Sequence, residues 1–421
     1  MTLPDDRFIL QQRTVKDAAD LYTPYLSASK KLQQKEAQSM GVLSGVKIIE
    51  MAGLGPGPFC GMLLADLGAD VIAVERPTED VGNLRPWSLC SRGKRSIVLD
   101  IKKPEAVDTF LKLVDGADAL IEGNRPGVME RLGIGPDVCL ARRPSLVYGR
   151  MTGWGQYGPL LQAAGHDANY VALSGALWLA TQPGQPPEAP PTILGDAAGG
   201  ALYLAVGILG GILRARKDGT GQVIDAAMVD GSAHLMSLLL SFLHTDYDLS
   251  IANARPGALR KHFDRTYVCS DGEWIVVQAE EPKFYAEFLK HLGLDHDERF
   301  AENQRGNPNV WGPLGDELAA LFKTRTRAEW SEMLEGTDTC FTPVLSMPEA
   351  AVHPHMLARD VYRTVDGVLQ PNPAPRFSAT PSAELRSIPV RGAHTADILS
   401  ELGLNEERIE ALRRTGVLGS A

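Results

Sequence analysis

Short runs rich in β-branched residues alternate with helical stretches between residues 43 and 150. Val46–Glu50 precedes a glycine-rich turn, and Ala69–Val74 follows a helical stretch over 58–68. Later runs of the same kind are Ser96–Leu99, Ala119–Ile121 and Leu146–Tyr148. Buried strands that alternate with helices at this spacing predict a parallel, doubly wound sheet. This region is therefore predicted to be an α/β domain.

The character of the chain changes after residue 255, which predicts a second and smaller domain. Thr266–Cys269 and Glu273–Gln278 flank a Ser-Asp-Gly turn, a pattern typical of a β-hairpin. Amphipathic helical stretches follow near 282–293 and 327–335. Strands and helices that are segregated in this way indicate an α+β domain.

These patterns predict four segments. They are an N-terminal extension, the first part of a large Rossmann-like domain, a small α+β domain, and a return segment that completes the large domain: residues 1–42, 43–235, 255–345 and 355–421. The extension is polar, with an exposed helix or tail expected at Lys30–Glu36, and no chemistry is assigned to it. The return segment includes a proline-rich stretch over 371–390. It ends in a helix that Asn405 is expected to cap.

The charge balance limits the class of partner. The 421 residues include 42 Lys and Arg against 52 Asp and Glu, a formal net charge of -10. Nucleic-acid-binding domains are usually basic, so a nucleic-acid partner is not expected. A small phosphorylated ligand held by a few local Arg and Lys residues remains compatible with this charge.

Cysteine and histidine spacing indicates an intracellular protein without a metal site. The five cysteines are dispersed, with no Cys-x-x-Cys pair, which is typical of reduced thiols. Neither His353 with His355 nor His291 with His296 has acidic companions at ligand spacing.

Nothing near the N-terminus resembles a secretory signal, since Asp5 and Asp6 come early and no apolar run follows them. The apolar run Ala197–Leu213 contains five glycines and is interpreted as a buried helix, not a membrane span. We expect a cytoplasmic location, with peroxisome and mitochondrion left open, and no membrane partner.

A glycine-rich turn, Gly53–Pro58, lies between the first strand and its helix, where backbone N–H groups favour an anion. Glu75 ends the next strand, 22 residues after Gly53, as the ribose-binding acid of a dinucleotide site would. The glycine spacing departs from that fingerprint, and Pro56 and Pro58 remove N–H donors. A nicotinamide site is therefore the weaker alternative.

Basic side chains near predicted strand ends suit a phosphorylated ligand better. Open α/β sheets bind ligands at this edge, and Arg and Lys hold phosphates through charge-assisted hydrogen bonds. The candidates are Arg76, Arg92, Lys94, Arg95 and Arg125. The alternative for each is an ordinary solvated loop charge.

An imidazole and two carboxylates stand in short, uncharged, glycine-punctuated segments, Ala163–Tyr170 and Gly195–Gly200. His166 has a side chain that titrates near neutral pH, and a carboxyl such as Asp196 can be pushed toward that range in an apolar pocket. These segments therefore indicate proton transfer. The structural alternatives are a packed loop histidine at position 166 and a helix N-cap at Asp196.

Several short motifs occur together in this chain: Gly55–Pro58, Ala65–Ile72 with Arg76-Pro77, Arg92–Ser96, Leu99–Lys102, Gly123–Gly127, Gly153–Pro159 and Gly219–Asp225. Through these motifs the chain resembles the family III CoA-transferase superfamily of the CaiB/BaiF type. The resemblance spans roughly 43–230, continues more thinly to the C-terminus and leaves 1–40 unmatched. It implies an interlocked homodimer, with active sites between the large domain of one chain and the small domain of its partner.

Within the superfamily, the chain is more similar to the α-methylacyl-CoA racemases than to the transferases. Racemases carry Ala-Gly-His-Asp-x-Asn-Tyr, then Gly-Asp with small residues, then Glu-Pro before an aromatic residue. This chain has Ala164–Tyr170, Gly195–Gly200 and Glu281–Phe284 in these places, and no transferase-type run of four glycines. Transferases use an Asp nucleophile, and Asp167 falls at that position. Transfer of CoA between carboxylic acids through an aspartyl acyl-anhydride is therefore the alternative function.

The resemblance to racemases implies a two-base inversion of the α-carbon of a 2-methylacyl-CoA thioester through an enolate. His166 and Asp196 are implied to act on opposite faces of that carbon, with Glu281 hydrogen-bonded to His166. Asp167 is implied to offer its backbone N–H to the enolate or to orient the thioester with its side chain; an ordinary first-turn acid is the structural alternative for Glu281. No further cofactor is expected, because the substrate itself carries coenzyme A.

One loop departs from the racemase pattern. Racemases usually have Gly-Gly-Ala-Pro-x-Tyr before an Asp-x-x-Tyr segment. Here the corresponding stretch before Asp264 has instead gained Arg255, Arg260 and Lys261. The acyl group that this loop would accept is therefore not indicated by the resemblance.

Overall fold

The structure is a computed structural model that describes residues 41–77, 88–180, 185–242, 261–382 and 384–418. The stretch expected as an exposed helix, Lys30–Glu36, lies outside the described residues, as does nearly all of the N-terminal extension.

A six-stranded parallel sheet forms the centre of the first structural unit. Its strands are β1 (Lys47–Met51), β2 (Asp70–Glu75), β3 (Arg95–Val98), β4 (Ala119–Glu122), β5 (Val147–Thr152) and β6 (Gln222–Ala227). The strand order is β3-β2-β1-β4-β5-β6, and every neighbouring pair is parallel. The predicted Rossmann-like α/β sheet is confirmed. Its order reverses between β1 and β4, where such sheets bind ligands.

Helices lie between these strands and directly after β6. They are α1 (Pro56–Asp66), α2 (Pro104–Gly116), α3 (Val128–Arg131), α4 (Pro136–Arg142), α5 (Asp167–Leu173), α6 (Leu202–Asp218), α7 (Met228–Leu235) and α8 (Ser237–Phe242). Prolines occupy the first turn of α1, α2 and α4, where a missing N–H removes no helical hydrogen bond. The sequence signals for α1 and α2 therefore located these helices to within about two residues.

A π-helix over Ile193–Ala201 precedes α6 and continues into it without a break. The combined helix Ile193–Asp218 is long and apolar enough to span a membrane, a test that core helices also pass. Leu204, Ile208 and Ile212 on its inner face are buried against the sheet. This packing agrees with the buried helix predicted from the apolar run.

The second unit contains an antiparallel sheet of β7 (Asp264–Val268), β8 (Trp274–Gln278) and β9 (Phe341–Pro343). Its helices are α9 (Pro282–Leu292), α10 (Glu302–Arg305), α11 (Pro308–Phe322), α12 (Arg327–Leu334), α13 (Met347–Val352) and α14 (Pro354–Ala358). The predicted hairpin and the helices near 282–293 and 327–335 are confirmed. Helix α11 was not predicted, and it supplies Phe322 to the aromatic core, 5.0 Å from the Trp330 ring.

The return segment contains the hairpin β10 (Tyr362–Val365) and β11 (Val368–Pro371), then α15 (Thr395–Glu401) and α16 (Glu406–Arg414). The side chain of Asn405 accepts a hydrogen bond of 3.0 Å from the N–H of Arg408, so the predicted N-cap is confirmed.

The chain divides into two compact units. The first takes its described residues from Met1–Leu177, Ala189–Leu240 and Asp360–Ala421, and the second from Trp178–Glu188 and Ser241–Arg359.

Alternate residues of each central strand face opposite layers of helices. Ile48 packs in one cluster with α1 and α6, whereas Ile49 packs in the other with α2, α4 and the carboxyl-terminal helices. Because successive strand residues point to opposite faces, the continuous apolar strands are buried on both sides. The carboxyl ends of β1, β4 and β5 lead into the loops described next.

Candidate active site

A cavity of about 640 Å³ lies at the carboxyl ends of the central strands. It is lined by the loops Met51–Pro58 after β1, Gly123–Pro126 after β4 and Gly153–Trp154 after β5. His166, Asp167 and Asp196 line the same cavity. The proton-transfer candidates found in two separate sequence segments are thus brought together at the point where the strand order reverses.

The turn after β1 passes close to the side chain of Asp196. Gly55 has a positive φ of 72°, a conformation that favours glycine, and Pro56 then begins α1. A β-carbon built on Gly55 would lie 3.5 Å from Asp196 Oδ2. The Asp196 carboxylate therefore faces this turn, and a larger residue at position 55 would crowd it.

His166 immediately precedes α5, with extended backbone at φ -134°. Its N–H donates a hydrogen bond of 3.0 Å to Asn169 Oδ1, and its carbonyl accepts one of 2.8 Å from the Asn169 N–H. Asn169 thus holds the backbone of position 166 from both sides. This local motif explains the Asn in the His-Asp-x-Asn-Tyr sequence and leaves the imidazole on the cavity wall.

Asp167 links the segment that carries His166 to the segment that carries Asp196. Its Oδ1 accepts hydrogen bonds of 2.8 Å from the N–H of Gly195 and of 2.8 Å from the N–H of Asp196. Gly195 has to be glycine here, since a β-carbon would lie 2.7 Å from Asp167 Oδ1. The Asp167 side chain is buried, and its hydrogen bonds hold the backbone of Gly195 and Asp196. This contact does not support the expectation that the side chain orients the thioester.

Asp196 lies within the first turns of the long helix. The proposed N-cap role was wrong, because position 196 is the fourth residue of the π-helix Ile193–Ala201, and Thr192 precedes that helix. Burial raises the pKa of the Asp196 carboxyl, the charge of Asp167 acts in the same direction, and His166 opposes them. A carboxyl with a raised pKa retains its proton closer to neutral pH, as a general acid must.

Tyr170 and Trp154 form one wall of the cavity, and their roles were not predicted. Their rings meet edge to face, with centroids 4.8 Å apart. A β-carbon on Gly153 would lie 2.1 Å from the Tyr170 ring, and one on Gly165 would lie 2.7 Å from it. The glycines of the Gly-Trp-Gly and Ala-Gly-His motifs therefore make room for one aromatic ring. The sequence does not show why glycine occupies these two positions, because the reason is that the two motifs lie close together in space.

Two of the five predicted phosphate-binding cations line the cavity. Arg76, directly after β2, donates a hydrogen bond of 3.3 Å to Asn124 Oδ1. Arg125 lies on the loop after β4, and its charge opposes the rise in the Tyr170 pKa that burial and Asp196 cause. Both guanidinium groups lie on loops at the strand ends, as the sequence predicted.

The other three cations are engaged inside the fold. Arg92 is 2% exposed and makes a bidentate ion pair with Asp66, 2.6 Å at its shorter contact. Lys94 Nζ lies 2.5 Å from Glu50 and donates to the Pro58 carbonyl at 2.9 Å.

Arg95 pairs with Asp70 at 2.6 Å and with Glu401 at 2.7 Å. The geometry does not support phosphate binding by Arg92, Lys94 and Arg95, because carboxylates already occupy their charged ends. We assign these three residues to the fold.

The remaining candidates are not among the residues that line this cavity, or they lie outside the described chain. Glu281 belongs to the second unit, where it immediately precedes α9, and its pairing with His166 stays a prediction. Lys261 makes an ion pair of 3.0 Å with Glu280, whereas Arg255 and Arg260 lie outside the described residues. Glu75, the acid of the nicotinamide alternative, instead accepts a hydrogen bond of 2.8 Å from the Ser96 hydroxyl.

The sequence and fold match one family over most of the chain. The profile of CoA-transferase family III matches residues 43–395. The chain belongs to CoA-transferase family III. Its fold also matches a solved CaiB/BaiF family protein from Brucella suis, with a TM-score of 0.73 and 26% identity, covering 86% of this chain and 99% of that one.

Relatives within CoA-transferase family III include racemases and transferases. The chain is 40% identical to human α-methylacyl-CoA racemase over 384 residues, 90% of this chain and 98% of the human protein. It is 29% identical over 406 residues to succinyl-CoA–D-citramalate CoA-transferase of Chloroflexus aurantiacus, 89% of this chain and 98% of that protein. This family III protein is thus an enzyme of the racemase and CoA-transferase group.

Proposed function

We propose that the protein inverts the α-carbon of 2-methylacyl-CoA thioesters by transferring protons between two bases. The observation that carries the proposal is that His166 and Asp196 line one cavity with Asp167 linking their segments. The higher identity to a racemase than to the transferases supports the same choice. No other cofactor is proposed, since the thioester itself makes the α-proton acidic.

The chemistry needs one group to remove the α-proton and another to return a proton on the opposite face. The thioester carbonyl spreads the resulting negative charge onto oxygen, giving an enolate. Each correctly placed acid or base contributes ~10²–10⁴-fold to such a reaction. In one direction neutral His166 accepts the proton and protonated Asp196 donates one; in the other the two roles exchange.

The enolate needs donors that point at its oxygen. We propose the backbone N–H of Asp167 for this role, because it lies in the first turn of α5, where helical N–H groups have no partner within the helix. Oδ1 of Asp167 already accepts hydrogen bonds from the N–H groups of Gly195 and Asp196, which favours the backbone N–H of Asp167 over its side chain for this role.

The phosphates of the CoA moiety are proposed to bind Arg76 and Arg125. Both guanidinium groups belong to the cavity, and bidentate Arg–phosphate pairs are strong and directional. Glu281 is proposed to hydrogen-bond His166 and so fix its tautomer.

We further propose a homodimer. The outer face of α6 carries exposed apolar side chains, with Val206 and Leu213 70% and 73% exposed. Light scattering at the concentration of the assays checks the dimer, and a monomer would contradict it.

The test is α-proton exchange in D₂O with (2R)- and (2S)-2-methylacyl-CoA and no acceptor acid. The wild-type protein is expected to incorporate deuterium from either isomer while optical purity is lost. His166→Ala and Asp196→Ala should each abolish inversion, and each should leave at most exchange without inversion from the isomer whose proton faces the remaining base. Exchange that survives unchanged in both variants would contradict the two-base assignment.

The transferase remains the second candidate, because relatives at 29% identity over 89% of this chain are transferases and Asp167 stands at the nucleophile position. A transferase moves CoA to an added carboxylic acid with ping-pong kinetics and an acyl-enzyme intermediate. Absence of exchange together with Asp167-dependent transfer to an acceptor acid would establish this alternative.

A further inference from the structure

A buried ion pair lies at the carboxyl ends of β4 and β5. Glu122 and Arg150 are direct neighbours in the parallel register, with side chains 0% and 8% exposed, and Arg150 Nε donates to Glu122 Oε1 at 2.9 Å. The free energy of removing two charges from water offsets most of the attraction between them, so a buried ion pair contributes little to stability. Its contacts with the neighbouring loop indicate a different use.

The second oxygen of Glu122 holds the loop that borders the cavity. Glu122 Oε2 accepts a hydrogen bond of 2.6 Å from the N–H of Asn124. The Asn124 side chain is oriented in turn, because its Oδ1 accepts from Arg76 at 3.3 Å and its Nδ2 lies 3.4 Å from the Met129 sulfur. A single chain of contacts therefore leads from a buried carboxylate to a cation on the cavity wall.

Arg150 is itself fixed from the far side. Two of its guanidinium nitrogens contact Glu130 Oε1 and Oε2, at 2.8 Å and 3.3 Å. Glu130 lies on α3, which begins where the loop over 123–127 ends. The loop is therefore held at its start by Glu122 and at its end by the helix that Arg150 binds. Neither Glu122 nor Arg150 lines the cavity.

We propose that Glu122 is a positioning residue for the CoA moiety. By accepting the hydrogen bond from the Asn124 N–H, it holds Asn124 where the side-chain oxygen Oδ1 orients Arg76 toward the cavity. Arg150 neutralises Glu122 and binds Glu130, so that the carboxylate keeps this position. The inference rests on the proposed function for the identity of the ligand, and it adds residues that do not touch that ligand.

The test is a double-mutant cycle read out as the Kd of coenzyme A by titration calorimetry. In Glu122→Gln the single amide oxygen satisfies either Asn124 or Arg150 but not both. We therefore expect the Kd to rise about tenfold, the effect of losing one charge-assisted hydrogen bond. The double variant Arg76→Ala/Glu122→Gln is expected to bind within twofold of Arg76→Ala alone, because Glu122 acts through Arg76.

Two further variants and a rate measurement accompany the cycle. Asn124→Ala, at a half-buried position, should raise the Kd in the same way even if Glu122→Gln folds poorly. Asp115→Asn removes a carboxylate from an exposed bidentate pair with Arg142 and should leave the Kd unchanged. The rate of α-proton exchange at saturating substrate should stay within threefold of wild type in Glu122→Gln, since His166 and Asp196 are untouched.

The outcomes separate this inference from the proposed function. Wild-type protein that fails to bind coenzyme A would overturn both. Wild-type binding with an unchanged Kd in Glu122→Gln and Asn124→Ala would overturn the inference alone. If the effects of Arg76→Ala and Glu122→Gln on the Kd are additive in free energy, Glu122 does not act through Arg76, and this result would also overturn the inference.

Discussion

The Oδ1 atom of Asp167 accepts a hydrogen bond of 2.8 Å from the backbone N–H of Asp196. The two residues are 29 positions apart, and each belongs to one of the segments that carry a proton-transfer group. The contact fixes where the π-helix begins relative to His166. The contact therefore fixes the backbone of Asp196 relative to the segment that carries His166.

This contact predicts different outcomes for two substitutions of Asp167. Asp167→Asn keeps an oxygen that can accept from both N–H groups, so α-proton exchange should stay within about tenfold of wild type. Asp167→Ala leaves two buried N–H groups without a partner, which lowers the free energy of unfolding by about 1–3 kcal/mol. It should also slow exchange about a hundredfold through misplacement of the bases. An Asp167→Asn variant as inactive as Asp167→Ala would instead indicate an essential carboxylate.

Asp196→Asn should stabilise the fold at neutral pH while abolishing inversion of the α-carbon. Burial and Asp167 raise the pKa of Asp196, with His166 opposing, above the unfolded value of about 3.9. The folded state thus binds this proton more tightly, and the resulting stability is lost as the pH rises from the unfolded value through the raised one. Asn carries no such charge, so the Tm of the variant should exceed that of wild type at pH 8 and converge with it below pH 4. A lower Tm at pH 8 would contradict this account.

Gly153→Ala should displace the Tyr170 ring. The added carbon would lie 2.1 Å from a ring that is 6% exposed and already packed on Trp154. Overpacking of this kind lowers the free energy of unfolding by about 1–3 kcal/mol, measurable by urea denaturation. Gly116→Ala is the matched control, because nothing lies within 4 Å of its added carbon at the end of α2. Equal effects of the two substitutions would exclude the steric explanation.

Lys94→Met tests the assignment of Lys94 to the fold. It removes the ammonium group that forms an ion pair with Glu50, whose side chain is 3% exposed, and loss of one member of a buried ion pair lowers the free energy of unfolding by about 3–5 kcal/mol. Glu50→Gln/Lys94→Met removes both charges and should recover most of that loss. The double variant should also bind coenzyme A within twofold of wild type. Loss of CoA binding in a stable double variant would restore Lys94 as a ligand contact.

Much of the first unit was predictable because its signals are local. The strands β1 to β5 are short apolar runs whose neighbours along the chain are turns and helices, and that pattern already favours a parallel sheet. The π-helix at Ile193–Ala201 was not predicted, because the glycine-rich sequence has no period that distinguishes it from an α-helix. Its hydrogen bonds to Asp167 come from 28 or 29 residues away.

The sequence alone determined which chemistry is present: a parallel α/β sheet, a histidine and carboxyls in uncharged glycine-rich segments, and cations at the strand ends. Tertiary structure decided which of these groups are available. Arg92 and Lys94 form buried ion pairs with Asp66 and Glu50, respectively, whereas Arg76 lines the cavity. A sequence shows the charge of a side chain but not the partner that packing brings to it. For a buried side chain the partner decides whether the charge can bind a ligand, because a charge removed from water has to be paired.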